Sequence, residues 1–282
     1  MKLIECPRDA MQGIHEFIPT NKKVDYLNQL LKVGFDTIDF GSFVSPKLIP
    51  QMGDTEEVLS KLEIDNSTTK LLAIVANVRG ANDASKYSQI DYLGFPFSIS
   101  ETFQKRNTNK SIEQALQSLQ EIQSICVKTS KSLVAYISMG FGNPYNDFYN
   151  EELVEEYTEL LVSYGIKIIS LADTIGVSNS ISISSLFTSL ITKYPDVEFG
   201  GHLHSNPSNA LEKIDAAYMA GCMRFDGAIK GYGGCPMAKD DLVGNIATET
   251  LIEYLNNKNI DLDISDDAFQ KSMLMTDDIF PM

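Results

Sequence analysis

Val197-Glu198-Phe199-Gly200-Gly201-His202-Leu203-His204 is the stretch from which this chain is best read, together with Gly233-Gly234-Cys235-Pro236 and Gly244-Asn245 downstream. Val197 to Phe199 reads as a short strand, and in a strand side chains at i and i+2 point to one face. His202 and His204 therefore converge, and they are two of only three histidines in the chain. A convergent imidazole pair at a strand end can supply two adjacent positions of a tetrahedral or octahedral metal site. Alone, such a pair is more often two hydrogen-bonded polar groups closing a strand. The remainder of the chain moves the reading toward a metal.

Working outward, apolar runs of strand length alternate with longer segments of helical periodicity, the βα signature of a parallel sheet. Strands are expected near Lys2 to Glu5, Phe35 to Phe40, Lys70 to Val75, Tyr92 to Phe97, Leu133 to Ser138, Lys167 to Ser170, Val197 to His202 and Arg224 to Asp226. Helices are expected over Asn21 to Lys32, Ser111 to Lys128, Glu151 to Tyr164, Ser184 to Lys193 and Pro207 to Ala220. Thr20 and Ser111 read as N-caps, while Gly34, Gly165 and Gly221 sit where a helix end needs a left-handed residue. Eight such units in 282 residues, without a linker or repeat, fit a (β/α)8 TIM barrel spanning residues 1–282 as one catalytic domain. A doubly wound sheet is disfavoured, because no GxGxxG follows the first strand. The acidic tail, about residues 258–282, is expected to pack on the barrel or on a partner subunit.

Composition narrows the function. A net charge of −15 argues against nucleic acid or an anionic membrane surface as partner, since both require clustered Lys and Arg. The four cysteines show no CxxC spacing and read as free thiols. No apolar run approaches a membrane span and the N-terminus carries no signal-peptide pattern, so a cytoplasmic location is expected.

A barrel places its chemistry at the carboxyl ends of the strands. Those ends carry Arg8 and Asp9, Asp39, Asn77 and Arg79, Glu101, Tyr136 and Ser138, Asp173 and Thr174, then His202 and His204. Individually Asp9 or Asp173 reads as a helix cap and Arg8 as a solvated charge. Together, carboxylates, a guanidinium and two imidazoles around one mouth read as a metal site with an anionic ligand.

At this level of detail the chain resembles the 3-hydroxy-3-methylglutaryl-CoA lyase family of DRE-TIM metallolyases. The resemblance is carried by Cys6-Pro7-Arg8-Asp9, Gly41-Ser42-Phe43-Val44-Ser45-Pro46-Lys47, Pro50-Gln51-Met52-Gly53-Asp54, Ser100-Glu101, Leu171-Ala172-Asp173-Thr174-Ile175-Gly176, the histidine pair, Gly233-Gly234-Cys235-Pro236 and Gly244-Asn245. It implies that Asp9, His202, His204 and Asn245 ligate a divalent cation, Mg2+ or Mn2+ in this family. It implies further that Arg8 faces the substrate thioester oxygen and that Asp39 and Asp173 hold family acidic positions. Asp9 and His202 are the candidate bases, and Cys235 is the active-site thiol. The substrate is then an acyl-CoA, and Arg8, Gln12, Ser42, Lys47, Thr174, Lys105 and Arg106 are its candidate contacts.

The implied reaction is carbon-carbon cleavage of 3-hydroxy-3-methylglutaryl-CoA to acetyl-CoA and acetoacetate, as in leucine degradation and ketone-body formation. Related enzymes associate, which leaves a homodimer open. Departures from the family pattern at Ala10-Met11, Ser205-Asn206-Pro207-Ser208 and Met139-Gly140-Phe141-Gly142 bear on the acyl pocket rather than on the implied ligands. A lyase for a related 3-hydroxyacyl-CoA and a Claisen-type synthase using a 2-oxo acid are the enzymatic alternatives. A non-catalytic barrel that binds CoA esters or a metal is the third.

Overall fold

Strands buried on both faces form parallel sheets whose crossover helices cover the outside, and eight of them close a barrel. The computed structural model describes residues 1–65, 67–234 and 243–280. Its parallel strands are β1 (Lys2–Glu5), β2 (Thr37–Ser42), β3 (Lys70–Ile74), β4 (Tyr92–Ser98), β5 (Ser132–Ser138), β6 (Ile168–Asp173), β7 (Glu198–Ser205) and β8 (Arg224–Gly227). Each pairs with its neighbours in sequence, and the β1–β8 pairing closes the ring. The (β/α)8 barrel expected from the sequence is therefore what forms. A short ninth strand, β9 (Gly244–Asn245), which the sequence reading did not contain, pairs antiparallel with the end of β7.

The helices are α1 (Pro7–Gln12), α2 (Thr20–Leu31), α3 (Thr55–Ser60), α4 (Val78–Ala84), α5 (Glu101–Thr108), α6 (Ile112–Lys128), α7 (Glu151–Ser163), α8 (Ser180–Lys193), α9 (Ala210–Met219), α10 (Thr248–Asn257) and α11 (Asp266–Ile279). Ser111 caps α6 in a capping box with Gln114. Thr20 is not the cap of α2, because its hydroxyl donates instead to Asp54 Oδ2 at 2.8 Å and Pro19 takes the cap position. Gly34, Gly165 and Gly221 all have positive φ. No described helix is long and apolar enough to cross a membrane.

Alternation along the strands sorts side chains into two compartments. Leu72, Ile74, Tyr92, Val134, Tyr136 and Ile168 fill the lumen, while Leu71, Ala73, Leu93, Phe95, Leu133, Ile169, Leu171, Phe199, Leu203 and Phe225 pack under the helices. The lumen parity on β7 and β8 is thus Gly200, His202, His204, Arg224 and Asp226. Gly200 is required there, since a Cβ would lie 2.9 Å from the Arg224 stem.

Two strands run three residues past their expected ends. β6 continues through Asp173 and β7 through Ser205, because Ala172 pairs with His202 and Asp173 with Leu203. This extension holds both histidines on a rigid pleat. The C-terminal α11 packs on α2: the Phe269 and Phe35 rings meet edge to face at 6.3 Å, and Gln29 Nε2 donates to the Ala268 carbonyl.

Candidate active site

Pro7 opens α1 immediately after β1, where its fixed φ suits the first helical turn and its missing N–H costs nothing. That tight turn sets Arg8 and Asp9 over the barrel mouth, and both are buried. Arg8 Nε and Nη2 donate to Asp39 on β2, with Nη2 to Oδ2 at 2.5 Å, while Nη1 donates to Asp9 Oδ1 at 3.0 Å and Gln12 Oε1 at 2.9 Å. Bidentate pairing of this kind locks the guanidinium plane. Burial pushes the Asp39 carboxyl up to about 6 against the opposing pull of Arg8. For Asp9 burial also acts upward, but Arg8, both histidines and the Asn245 hydrogen bond outweigh it, and the carboxyl is lowered. Asp9 is a carboxylate at neutral pH.

The two imidazoles have defined tautomers. His204 Nδ1 lies 3.0 Å from the Thr174 carbonyl, which can only accept, so Nδ1 carries the proton. His202 Nδ1 lies 3.1 Å from Asp226 Oδ2 and by the same argument donates to that carboxylate. Each ring, when neutral, therefore keeps an unprotonated Nε2 as its free ligand atom. Ligand atoms of Asp9, His202 and His204 lie within 4.8 Å of one another. His204 Nε2 is buried without a hydrogen-bond partner among the described residues. Leaving such an atom dry and unpaired costs about 1 to 3 kcal/mol, a cost that a bound cation removes. The donor set of one carboxylate and two imidazoles, each imidazole steadied through its other nitrogen, fits a divalent metal.

Asn245 reaches this trio through β9, whose pairing sets it opposite His204. Its Nδ2 donates to Asp9 Oδ2 at 2.8 Å and to the Tyr232 carbonyl at 2.9 Å, leaving the carboxamide oxygen as the end that could ligate. The Gly233 backbone lies so close that an added Cβ would come within 2.7 Å of Asn245 Nδ2 and 3.0 Å of the Asp9 carbonyl, and its φ is +94°. Only glycine tolerates both constraints. Cys235 lies outside the described residues; Gly233 and Asn245, which flank its segment, both abut Asp9.

Above the trio is a cavity of about 270 Å3 lined by Arg8, Asp9, Gln12, Thr174, His202, His204 and Arg106, with Val44, Ile49, Ile74, Phe103 and Tyr136 as an apolar wall. Of the expected substrate contacts, Arg8, Gln12, Thr174 and Arg106 line it. Ser42, Lys47 and Lys105 do not. Ser42 Oγ is turned to the Val44 amide, Lys47 is exposed, and Lys105 pairs with Glu101 at the surface. Asp39 stands behind Arg8 rather than in the cavity. Asp173, expected at the mouth, has the outward parity of Leu171 and forms a buried ion pair with Lys213 at 2.7 Å.

Asp226 and Lys213 were not singled out from the sequence. The strand parity that places Arg224 and Asp226 in the lumen was available for the first. Other motif residues are scaffolding: Gln51 holds the Ile14 and Glu16 carbonyls and the Ile18 amide, and Ser100 caps α5 while bonding Asp147.

In the metal-free protein the two imidazoles titrate far apart. Burial, then the charge of His202, pushes His204 down to about 4. Burial also acts to lower His202, but the hydrogen bond and charge of Asp226, together with Asp9, overcome it and raise it above 6.5. Nuclear magnetic resonance titration of EDTA-treated protein is expected to show His202 protonating above pH 6.5 and His204 near 4. Native His204 then binds fewer protons than the unfolded chain between those values, so its contribution to stability falls as pH drops from about 6.5 toward 4. Both rings titrating together near 6.5 would overturn this description.

Comparisons with known proteins agree with the geometry. The HMGL-like family model matches residues 3–273. Hydroxymethylglutaryl-CoA lyase YngG of Bacillus subtilis is 33% identical over 254 residues, covering 90% of this chain and 84% of that protein. The cytoplasmic 3-hydroxy-3-methylglutaryl-CoA lyase of Rattus norvegicus is 33% identical over 267 residues, 93% of this chain and 77% of that protein. Among solved structures, the Bacillus subtilis HMG-CoA lyase superposes with a TM-score of 0.91 at 30% identity, covering 98% of this chain and 92% of that one. An HMG-CoA lyase from Acinetobacter baumannii in complex with coenzyme A and 3-methylmalate gives the same TM-score and identity, covering 99% of this chain and 90% of that one. With its family match running nearly end to end and a divalent-metal donor set at the mouth of its barrel, the chain belongs to the HMGL-like family.

Proposed function

We propose that this protein is a lyase that splits 3-hydroxy-3-methylglutaryl-CoA into acetyl-CoA and acetoacetate with the help of Mg2+ or Mn2+. The observation that carries the reading is the convergence of Asp9, His202 and His204 Nε2 beside a pinned Arg8 on the floor of one cavity. Asp9, His202 and His204 would hold the cation, with the Asn245 carboxamide oxygen beside them. A cation held there would supply the charge that lowers the pKa of the substrate's tertiary alcohol and fixes its orientation.

Loss of the alcohol proton lets its electron pair form the new ketone as the bond between the second and third carbons breaks. The electrons of that bond pass to the thioester, giving the acetyl-CoA enolate. Asp9 would take the alcohol proton; His202, the other candidate base, has its Nδ1 proton on Asp226 and its Nε2 committed to the cation, and keeps no lone pair for that role. Arg8 donates to the thioester oxygen as negative charge develops on it. Asp39 acts through Arg8, by holding its guanidinium. The enolate then takes a proton at carbon, and the Cys235 thiol is its donor. Arg106, which lines the cavity and stacks its guanidinium 4.6 Å over the Tyr145 ring, would meet CoA.

Product analysis by mass spectrometry tests the reading: EDTA-treated protein is given 3-hydroxy-3-methylglutaryl-CoA with and without Mg2+ or Mn2+. Metal-dependent release of acetyl-CoA and acetoacetate is expected. Absence of cleavage with the metal bound would overturn the substrate assignment. Cys235→Ala is expected to leave Mn2+ affinity and KM near wild type while kcat falls steeply, and unchanged turnover would remove the thiol from the mechanism.

A further inference from the structure

We infer that Lys213, on α9, is a positioning residue for the metal site: its ammonium fastens the backbone of His204 to the turn that orients the His204 ring. The inference rests on the proposed metal-dependent reading of the site. Lys213 is buried to 1% side-chain exposure, and so is its partner Asp173. The ammonium has three N–H donors and meets three acceptors: Asp173 Oδ2 at 2.7 Å, the His204 carbonyl at 2.8 Å and the Gly176 carbonyl at 3.0 Å. Every donor is used, which is the condition under which a buried ammonium is tolerated.

The acceptors belong to two segments that must stay in register for His204 to point correctly. One is the end of β7, where the His204 carbonyl lies. The other is the turn after β6, in which Thr174 accepts the His204 Nδ1 proton at 3.0 Å. Asp173 organises that turn, accepting from the Val177 and Ser178 amides at 2.9 and 3.0 Å and from the Ser178 hydroxyl. Lys213 bridges the two. It grips the His204 main chain on one side and, through Asp173 and Gly176, the turn that grips the ring on the other. Asp173 thus reaches the site through Lys213 and the turn, without touching the cavity.

A single substitution confounds positioning with folding, because Lys213→Met leaves the Asp173 carboxylate buried and unpaired. The Asp173→Asn/Lys213→Met pair removes both charges together and leaves neither uncompensated. Mn2+ affinity read by electron paramagnetic resonance, alongside thermal unfolding of the metal-free proteins, makes the test. Lys213→Met is expected to unfold at lower temperature and the double variant to recover much of that loss. Mn2+ affinity of the double variant is expected to stay about 10 to 100-fold below wild type, the usual effect of losing an outer partner of a ligand.

A double variant that binds Mn2+ as wild type does would assign the pair to stability alone and overturn the inference. Failure of the double variant to fold would do the same. His204→Ala serves as the control: if it too binds Mn2+ as wild type does, the metal-site reading itself fails, an outcome distinct from either of those.

Discussion

Replacing Arg8 by lysine is expected to lower kcat for cleavage by about 100 to 1000-fold, the range seen when one donor to a developing oxyanion is removed. The guanidinium carries five N–H groups. Asp39 engages Nε and one hydrogen of Nη2, and Asp9 with Gln12 takes both hydrogens of Nη1. One Nη2 hydrogen is left, and the Arg8 side chain lines the cavity. Lysine keeps the charge beside Asp39 and Asp9 but cannot hold two carboxylates in a fixed plane while presenting a further donor. The variant should therefore fold, bind Mn2+ and turn over slowly.

Arg8→Met is expected to be harsher, because it leaves a buried pair broken, a change that typically destabilises by about 3 to 5 kcal/mol. Protonation of Asp39, already raised to about 6, relieves part of that cost at low pH. Because Arg8 holds that carboxyl down, its loss raises Asp39 above the wild-type value, and stability of Arg8→Met should improve relative to wild type as pH falls toward about 6. Steady-state kinetics of a folded Arg8→Lys protein at saturating metal decide the catalytic claim. A kcat within a few fold of wild type would remove Arg8 from enolate stabilisation.

The second large effect is that of His204→Ala, which should weaken Mn2+ binding by more than the roughly 10 to 100-fold that accompanies loss of an outer partner. Activity at limiting metal should fall in proportion and recover in part at high Mn2+. The metal-free protein offers a sharper signature. In wild type the Nε2 of His204 is buried with no partner among the described residues, and such an atom costs about 1 to 3 kcal/mol. Its removal offsets the lost bond to Thr174 and the small cavity left behind. The metal-free variant should thus unfold within about 1 kcal/mol of wild type, while metal stabilises it far less. Calorimetry with and without Mn2+ measures both. Equal stabilisation of wild type and variant by the metal would exclude His204 as a ligand.

The barrel and the convergence of the histidines were legible in the sequence because both follow from local periodicity. Alternation with period two fixes which side chains share a face, and the βα alternation fixes the architecture. The motif at Cys6 to Asp9 was legible as well, since Pro7 ends β1 and opens α1 within one turn. Asp173 shows the limit. Read as a loop residue past a strand ending at Ser170, it belonged to the mouth. Pairing with β7 carries β6 on through Asp173, and the continued alternation turns that carboxylate outward to Lys213.

The sequence by itself determined the fold class and the family and named Asp9, His202 and His204 as candidate donors, because each depends on residues close together in the chain or on motifs held in order. Only the tertiary structure decided the partners that give those donors their chemistry. Asp226 fixes the tautomer of His202, the Thr174 carbonyl that of His204, and Asp39 the plane of Arg8. Each of these contacts joins residues 24 to 31 positions apart. No local pattern encodes such a pairing: it exists only once adjacent strands have closed in register and the lumen has excluded the water that would otherwise satisfy these groups.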